Sequence, residues 1–224
     1  MTGTSRRGRR PAVHRGVELR CGKRFEDEAQ AEGHRVVAGV DEVGRGALCG
    51  PVVAAAVVLG DGFDTTGLDD SKRLTRRQRE ELDARVRERA RAFGIGLASP
   101  EEIDRVNILK ATLLAMRRAV CALPEAPDLL LVDALTIPGL AVEQRPIVKG
   151  DALSVSIAAA SIVAKVERDA LMRGLDHEHP GYDLARNMGY GSEEHREALR
   201  RLGPTAIHRR SSSSMAIHAT RNVA

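Results

Sequence analysis

Apolar runs alternate with amphipathic stretches along the chain, and their lengths set out an order of strands and helices. Val36 to Val40 is a short apolar stretch ending at Asp41-Glu42, and Gly44, Arg45, Gly46 and Gly50-Pro51 behind it mark a loop. Val52 to Leu59 is wholly apolar and rich in valine, as a strand buried on both faces would be. From Thr75 the period changes to that of a helix. Thr75 and Gln78 form a capping box, and Leu82, Val86 and Ala90 follow at helical spacing as far as Phe93-Gly94.

A third strand is predicted from Gly94 to Ala98. Ser99-Pro100 with Glu102 then opens another helix, and Asn107 caps a longer one running through Leu123, with Leu113, Met116 and Val120 as its apolar stripe. Leu129 to Val132 reads as a strand closing on Asp133. Val142 to Val148, interrupted by Pro146, reads as a fifth strand running into Lys149-Gly150-Asp151. Ser154 to Leu175 is a long alanine-rich helix whose Ala158, Ala159, Ala160 and Ser161 suit close packing on a sheet, and Ser192 to Leu202 forms a last helix. Three early strands, then helices alternating with two more, predict an α/β layered domain with a mixed five-stranded sheet flanked by helices and a C-terminal helical segment.

At 224 residues, with 42% hydrophobic and 29% charged residues, the chain has the composition of one globular domain with ragged ends. Residues 1–24 read as a flexible basic arm carrying Arg6, Arg7, Arg9, Arg10, Arg15 and Arg20, residues 25–210 as the domain, and residues 211–224 as a flexible, serine-rich tail. The net charge of +4 suits a polyanionic partner without requiring one. Aromatic residues make up only 2%, which removes the stacking platforms on which single-strand readers depend. Cys21, Cys49 and Cys121 have no paired spacing, so neither a disulfide framework nor a structural zinc site is expected. No apolar run nears the roughly 18 to 20 residues of a membrane helix. A cytoplasmic monomer with no membrane partner is the expectation.

The candidate chemistry lies where the apolar strands give way to loops. Asp41, Glu42, Asp133 and Asp151 all fall at such points. Brought together, they would raise one another's pKa unless a cation neutralised them, and an all-oxygen donor set favours Mg²⁺ or Mn²⁺ over zinc. Two such ions roughly 3.5 to 4 Å apart suit phosphodiester cleavage. On a regular strand Asp41 and Glu42 would point to opposite sides, and the turn at Gly44 is expected to bring both toward one ion. Spacing alone leaves open that the four are unrelated turn acids.

The surrounding residues carry a resemblance. The stretch from Gly39 to Val53, Gly-Val-Asp-Glu-Val-Gly-Arg-Gly-Ala-Leu-Cys-Gly-Pro-Val-Val, resembles the first signature of the type 2 ribonucleases H and is similar in detail to bacterial ribonuclease HII. Asp70-Ser71-Lys72-Arg73-Leu74, Ile103-Asp104 with Asn107-Ile108-Leu109, Val132-Asp133 and Lys149-Gly150-Asp151 follow in the family's order. So do the run Ser156 to Val166 with Arg168-Asp169, then Gly189-Tyr190-Gly191, His195, Gly203-Pro204-Thr205 and His208-Arg209. The resemblance spans Phe25 to Arg210 and implies a ribonuclease H-like fold. It implies that Asp41, Glu42, Asp133 and Asp151 are the metal-binding catalytic acids and that Gly44, Arg45 and Gly46 contact the ribose 2′-hydroxyl. Tyr190 would stack on the next sugar while sensing the same hydroxyl, the group that separates RNA from DNA.

Ser71, Lys72, Ser161 and Lys165 are candidates for holding phosphates, Ser161 and Lys165 standing one turn apart on a helix. Arg168 and Asp169 read equally as a surface ion pair or as support for the site, and His177 and His179 as exposed loop residues. The resemblance breaks at Ser212, where the family usually has Phe. The implied activity is cleavage of the RNA strand of RNA·DNA hybrids and of duplex DNA on the 5′ side of embedded ribonucleotides, leaving 3′-hydroxyl and 5′-phosphate ends. The rivals are a junction resolvase or ribonuclease HIII, a catalytically silent hybrid-binding protein, and a basic RNA-packaging protein. The Gly-Arg-Gly behind the acid pair argues against the first two, the four acids against the others.

Overall fold

The computed structural model describes residues 21–211. Most of the expected basic arm and nearly all of the expected tail, Ser212 included, lie outside the described residues. The chain runs α1 (Arg24–Ala31), β1 (Val37–Val43), β2 (Val52–Val58), α2 (Arg76–Arg89), β3 (Ala92–Ala98), α3 (Pro100–Val106), α4 (Ile108–Cys121), β4 (Leu129–Asp133), β5 (Glu143–Ile147), α5 (Val155–Glu178), α6 (Leu184–Asn187) and α7 (Glu193–Leu202). A single 3-10 turn, Gly150–Ala152, precedes α5. No helix among the described residues is long and apolar enough to cross a membrane.

The strands form one mixed sheet in the order β3-β2-β1-β4-β5. The first three pair antiparallel, while β4 and β5 join β1 in parallel. Alternation along β2 divides the core. Ala54 and Ala56 pack with Ala38, Val40, Val132 and the α4 residues Ala111, Ala115 and Met116. Val53, Ala55 and Val57 pack with Ala158, Ile162 and Val163 of α5. Both faces of the sheet are therefore covered by helices, which is why β2 reads as an unbroken apolar run.

The expected stripe of α4 keeps Met116 and Val120 buried, while Leu113 is only partly so and Ala111, Ala115 and Ala119 complete the buried face. Its backbone lies directly on β3, where a Cβ on Gly96 would come within 2.2 Å of the Ala115 carbonyl. On the opposite face a Cβ on Gly39 would strike the Ser156 backbone at 2.1 Å, so α5 seats its first turn against β1.

Several features differ from the sequence reading, α5 running on to Glu178 among them. β3 begins at Ala92 because Ala92 and Phe93 pair with Val58 and Val57. Pro146 is accommodated because β5 is an edge strand, where a missing N–H leaves no ladder bond unmade. Helix α1 has little apolar periodicity to announce it, its buried residues being Glu26 and Ala29. It is held instead by the Glu26 carboxylate, which accepts the Ser156 N–H at 2.9 Å and the Ser154 hydroxyl at the start of α5. Just before it, Gly22 bridges Ser154, so the end of the expected arm is built into the domain.

Candidate active site

The register of β1 and β4 sets two of the four acids side by side. Val40 pairs with Val132 in parallel, and Asp41 and Asp133 are the next residues on each strand. Neighbouring strands lie roughly 4.8 Å apart. The strand β1 does not stop at the acids as expected: it stays paired with β2 through Val43, with Asp41 opposite Ala55 and Glu42 opposite Ala54. The pleat therefore directs Asp41 toward the α5 face and Glu42 toward the α4 face, at the edge where β4 has ended. Asp151 arrives from the other side on the 3-10 turn, whose first amide, Gly150 N–H, donates to Asp133 Oδ1 at 2.8 Å.

Electrostatic influence links these side chains pairwise: Asp41 with Glu42 and Asp133, Glu42 with Asp133, and Asp133 with Asp151. Burial, then Glu42 and Asp133, push the Asp41 carboxyl well above the usual carboxylate range, although the Ser161 hydroxyl and the Glu42 amide oppose the shift. Burial also raises Glu42, against the pull of the Arg45 guanidinium at 3.2 Å. Asp133 is raised by burial and by Asp151, with the Gly150 amide opposing. Glu42 Oε2 is buried and has no hydrogen-bond partner. An orphaned carboxylate oxygen beside raised carboxyls is a destabilised arrangement that a divalent cation would relieve, and a donor set made only of oxygens fits Mg²⁺ or Mn²⁺.

Of the expected phosphate contacts, Lys72 reaches the cluster, its Nζ standing 2.9 Å from Asp151 Oδ2 and 3.5 Å from Asp70 Oδ1. Burial alone would lower its pKa, yet the bond to Asp151 and the nearby carboxylates raise it, so the ammonium stays charged. Ser71 and Ser161 are buried, and their hydroxyls meet at 3.0 Å under Asp41. Lys165 turns to Asp169, four residues on, rather than toward the acids. Arg168 does not join that ion pair. It is fully buried, and its guanidinium donates to the Pro51, Met188 and Cys49 carbonyls.

The Gly44-Arg45-Gly46 loop sits immediately beyond β1. Gly44 has φ +94°, and a Cβ there would meet Arg168 Nε at 2.2 Å, so the fold itself requires glycine. Gly46 is different: a Cβ would find nothing within 4 Å, so the space beside it is open for a ligand to approach the backbone. The exposed ring of Tyr190 lies across the Arg168 guanidinium, 5.3 Å from centroid to Cζ.

Two arginines organise this loop, one read from sequence as either a surface ion pair or support for the site, the other given no individual role there. Arg168 is one, and Arg209 is the other, 2% exposed. Arg209 Nε donates to the Gly50 carbonyl at 2.9 Å, and its Nη1 lies within 3.1 Å of the Gly44, Arg45 and Ala47 carbonyls. Burial, with Arg168 nearby, lowers its pKa to about 10. A signal for Arg168 was present: Ala164, Arg168 and Met172 follow at steps of four on the buried face of α5. Arg209 follows the last helix and has no comparable periodicity.

The family model for ribonuclease HII matches residues 38–214. A ribonuclease HII of Moorella thermoacetica is 54% identical over 187 residues, covering 84% of this chain and 91% of that protein. One from Acaryochloris marina is 58% identical over 178 residues, covering 77% and 90%. Among solved structures, ribonuclease H2 from Pyrococcus horikoshii OT3 superposes with a TM-score of 0.68 at 28% identity, over 83% of this chain and 97% of that one. Bst-RNase HIII, solved in complex with Mn²⁺, shares the fold at 19% identity and a TM-score of 0.63, over 86% of this chain and 73% of its own. With a family model over most of its length and relatives above half identity, the chain belongs to the ribonuclease HII family, endoribonucleases that hydrolyse the RNA of RNA·DNA hybrids.

Proposed function

We propose that this chain cuts on the 5′ side of a ribonucleotide, both within hybrids and where one ribonucleotide is embedded in duplex DNA, leaving 3′-hydroxyl and 5′-phosphate ends. Asp41, Glu42, Asp133 and Asp151 would hold Mg²⁺ or Mn²⁺, which when bound supply Lewis-acid activation of water and stabilise the leaving oxygen. The carrying observation is Glu42 Oε2, buried and unpartnered beside the raised carboxyls of Asp41 and Asp133. The Mn²⁺ complex of Bst-RNase HIII, a protein of the same fold, is in keeping with this reading.

The remaining roles follow from exposure and reach. The open backbone at Gly46 allows a ribose to approach the loop closely, and Gly44, Arg45 and Gly46 together address its 2′-hydroxyl. Tyr190 offers an exposed face to the next sugar, steadied from behind by Arg168. Lys72 places a cation beside Asp151, where a phosphate of the strand would pass. Ser161 acts from beneath by hydrogen bonding to Asp41. Ser71 and Lys165 are proposed as weaker backbone contacts, requiring Lys165 to leave Asp169.

The test is a duplex carrying a single ribonucleotide, incubated with Mg²⁺, Mn²⁺ or EDTA. One incision 5′ of the ribonucleotide, lost in EDTA, is expected. Cleavage that persists in EDTA, or incision on the 3′ side, would overturn the assignment, and binding without cleavage under all conditions would establish the silent hybrid binder instead. The reading extends to a cytoplasmic monomer, which light scattering and localisation of a tagged chain would test.

A further inference from the structure

Behind Tyr190 lies a pair of buried histidines that the catalytic reading does not use. His195 is fully buried in α7 and His208 is 1% exposed in the segment that follows it. Their Nε2 atoms are 3.3 Å apart. With Cys49 they form a group, among the described residues, whose ligand atoms lie within 4.8 Å of one another, close enough to suggest a metal.

The hydrogen bonds argue for a different role. The Thr205 backbone N–H, which can only donate, points to His208 Nδ1 at 3.0 Å, so that nitrogen carries the lone pair and the proton of the neutral ring sits on Nε2. At the other end, the Tyr190 carbonyl, which can only accept, lies 2.9 Å from His195 Nδ1, so the His195 proton sits there and its Nε2 is free to accept. One directional chain results: Thr205 N–H to His208, His208 Nε2–H to His195, and His195 Nδ1–H to the Tyr190 carbonyl. The proton on His208 Nε2 occupies the direction a metal would need. Burial also keeps the Cys49 thiol protonated, its pKa pushed up to about 11.

We infer that His195 and His208 are positioning residues for ribose recognition, acting through Tyr190. The Tyr190 carbonyl also receives the Ser192 N–H at 2.8 Å, and the preceding turn passes through Met188 and Gly189 at positive φ. With its backbone fixed this way, the Cα–Cβ bond of Tyr190 has a set direction, from which the ring lies over the Arg168 guanidinium. Tyr182 closes the space around the imidazoles, its ring 5.0 Å from His208 and edge-on to His195 at 6.2 Å. The inference rests on the proposed contact of Tyr190 with the sugar.

The test compares kcat and KM on a duplex with one ribonucleotide. His208→Asn keeps an acceptor for Thr205 but removes the donor to His195, whereas His208→Gln keeps that donor. His208→Asn is expected to lower kcat/KM by about tenfold or more, and His208→Gln to recover most of the loss. In a Tyr190→Ala background His208→Asn should cost nothing further, which a merely structural role would not produce. If Tyr190→Ala alone leaves cleavage unchanged, the reading of Tyr190 fails. If Tyr190→Ala impairs cleavage but His208→Asn has no effect, or adds fully to it, the positioning role fails. Imidazole nitrogen NMR of the unmodified chain gives an answer whether or not the variants fold: His195 must be protonated at Nδ1 and His208 at Nε2, and the opposite tautomer at either overturns the inference.

Discussion

Asp41 and Asp133 stand next to one another on parallel strands, each one residue beyond the last matched pair, Val40 and Val132. Two carboxylates placed this way repel, and the site is built at the expense of stability. Asp41→Asn is therefore expected to abolish Mg²⁺-dependent cleavage while raising the unfolding free energy of the metal-free chain by about 1–2 kcal/mol. Denaturant melts in EDTA read the second effect. A variant less stable than the parent, or one retaining turnover, would contradict the electrostatic account.

Cation binding should release protons. Burial and mutual repulsion raise Asp41, Glu42 and Asp133 above the usual carboxylate range, and a cation requires them ionised. Calorimetric titration with Mn²⁺ in buffers of different ionisation enthalpy should show heats that change with the buffer. Buffer-independent heats would mean that the acids are already ionised.

Gly44→Ala and Gly46→Ala should separate folding from recognition. At Gly44 both the positive φ and the Arg168 side chain oppose a methyl group, and a loss on the order of 2–3 kcal/mol is expected. At Gly46 no neighbour is disturbed, so stability should change by less than about 0.5 kcal/mol while kcat/KM on a ribonucleotide-containing duplex falls. Equal stability losses in the two variants would remove the distinction.

The buried imidazoles give the folded chain an acid sensitivity of defined sign. Burial and the neighbouring His195 lower the His208 pKa from 6.5 to about 4. Between those values the unfolded chain binds more protons than the folded one, so stability rises with pH. The contribution is fully present above pH 6.5 and is lost progressively as the pH falls toward about 4. Subtracting the stability profile of His208→Gln from that of the parent should expose this slope. A flat difference across the window would show that the imidazole does not titrate as described.

Much of this architecture could be read from local pattern. The caps at Thr75, Ser99 and Asn107 behave as their spacing predicts, because each depends on residues three apart. The acids were visible because strands end near them, although the pleat of β1, rather than the Gly44 turn, decides where Asp41 and Glu42 point. Helix α1 was not visible, since a carboxylate anchors it where an apolar face usually would. Nor were the contacts that Arg168 and Arg209 make with the loop: their partners are backbone carbonyls, which every residue has, and Arg209 meets that of Gly44 across 165 positions.

That separation bears on the order in which the protein acquires its abilities during synthesis. Asp41, Glu42, Asp133 and Asp151 all emerge from the ribosome well ahead of Arg209, whose guanidinium gathers the Gly44, Arg45, Ala47 and Gly50 carbonyls. On the proposed roles, a growing polypeptide would present all four acids before Arg209 is available to fix the neighbouring turn, and discrimination between sugars would mature last.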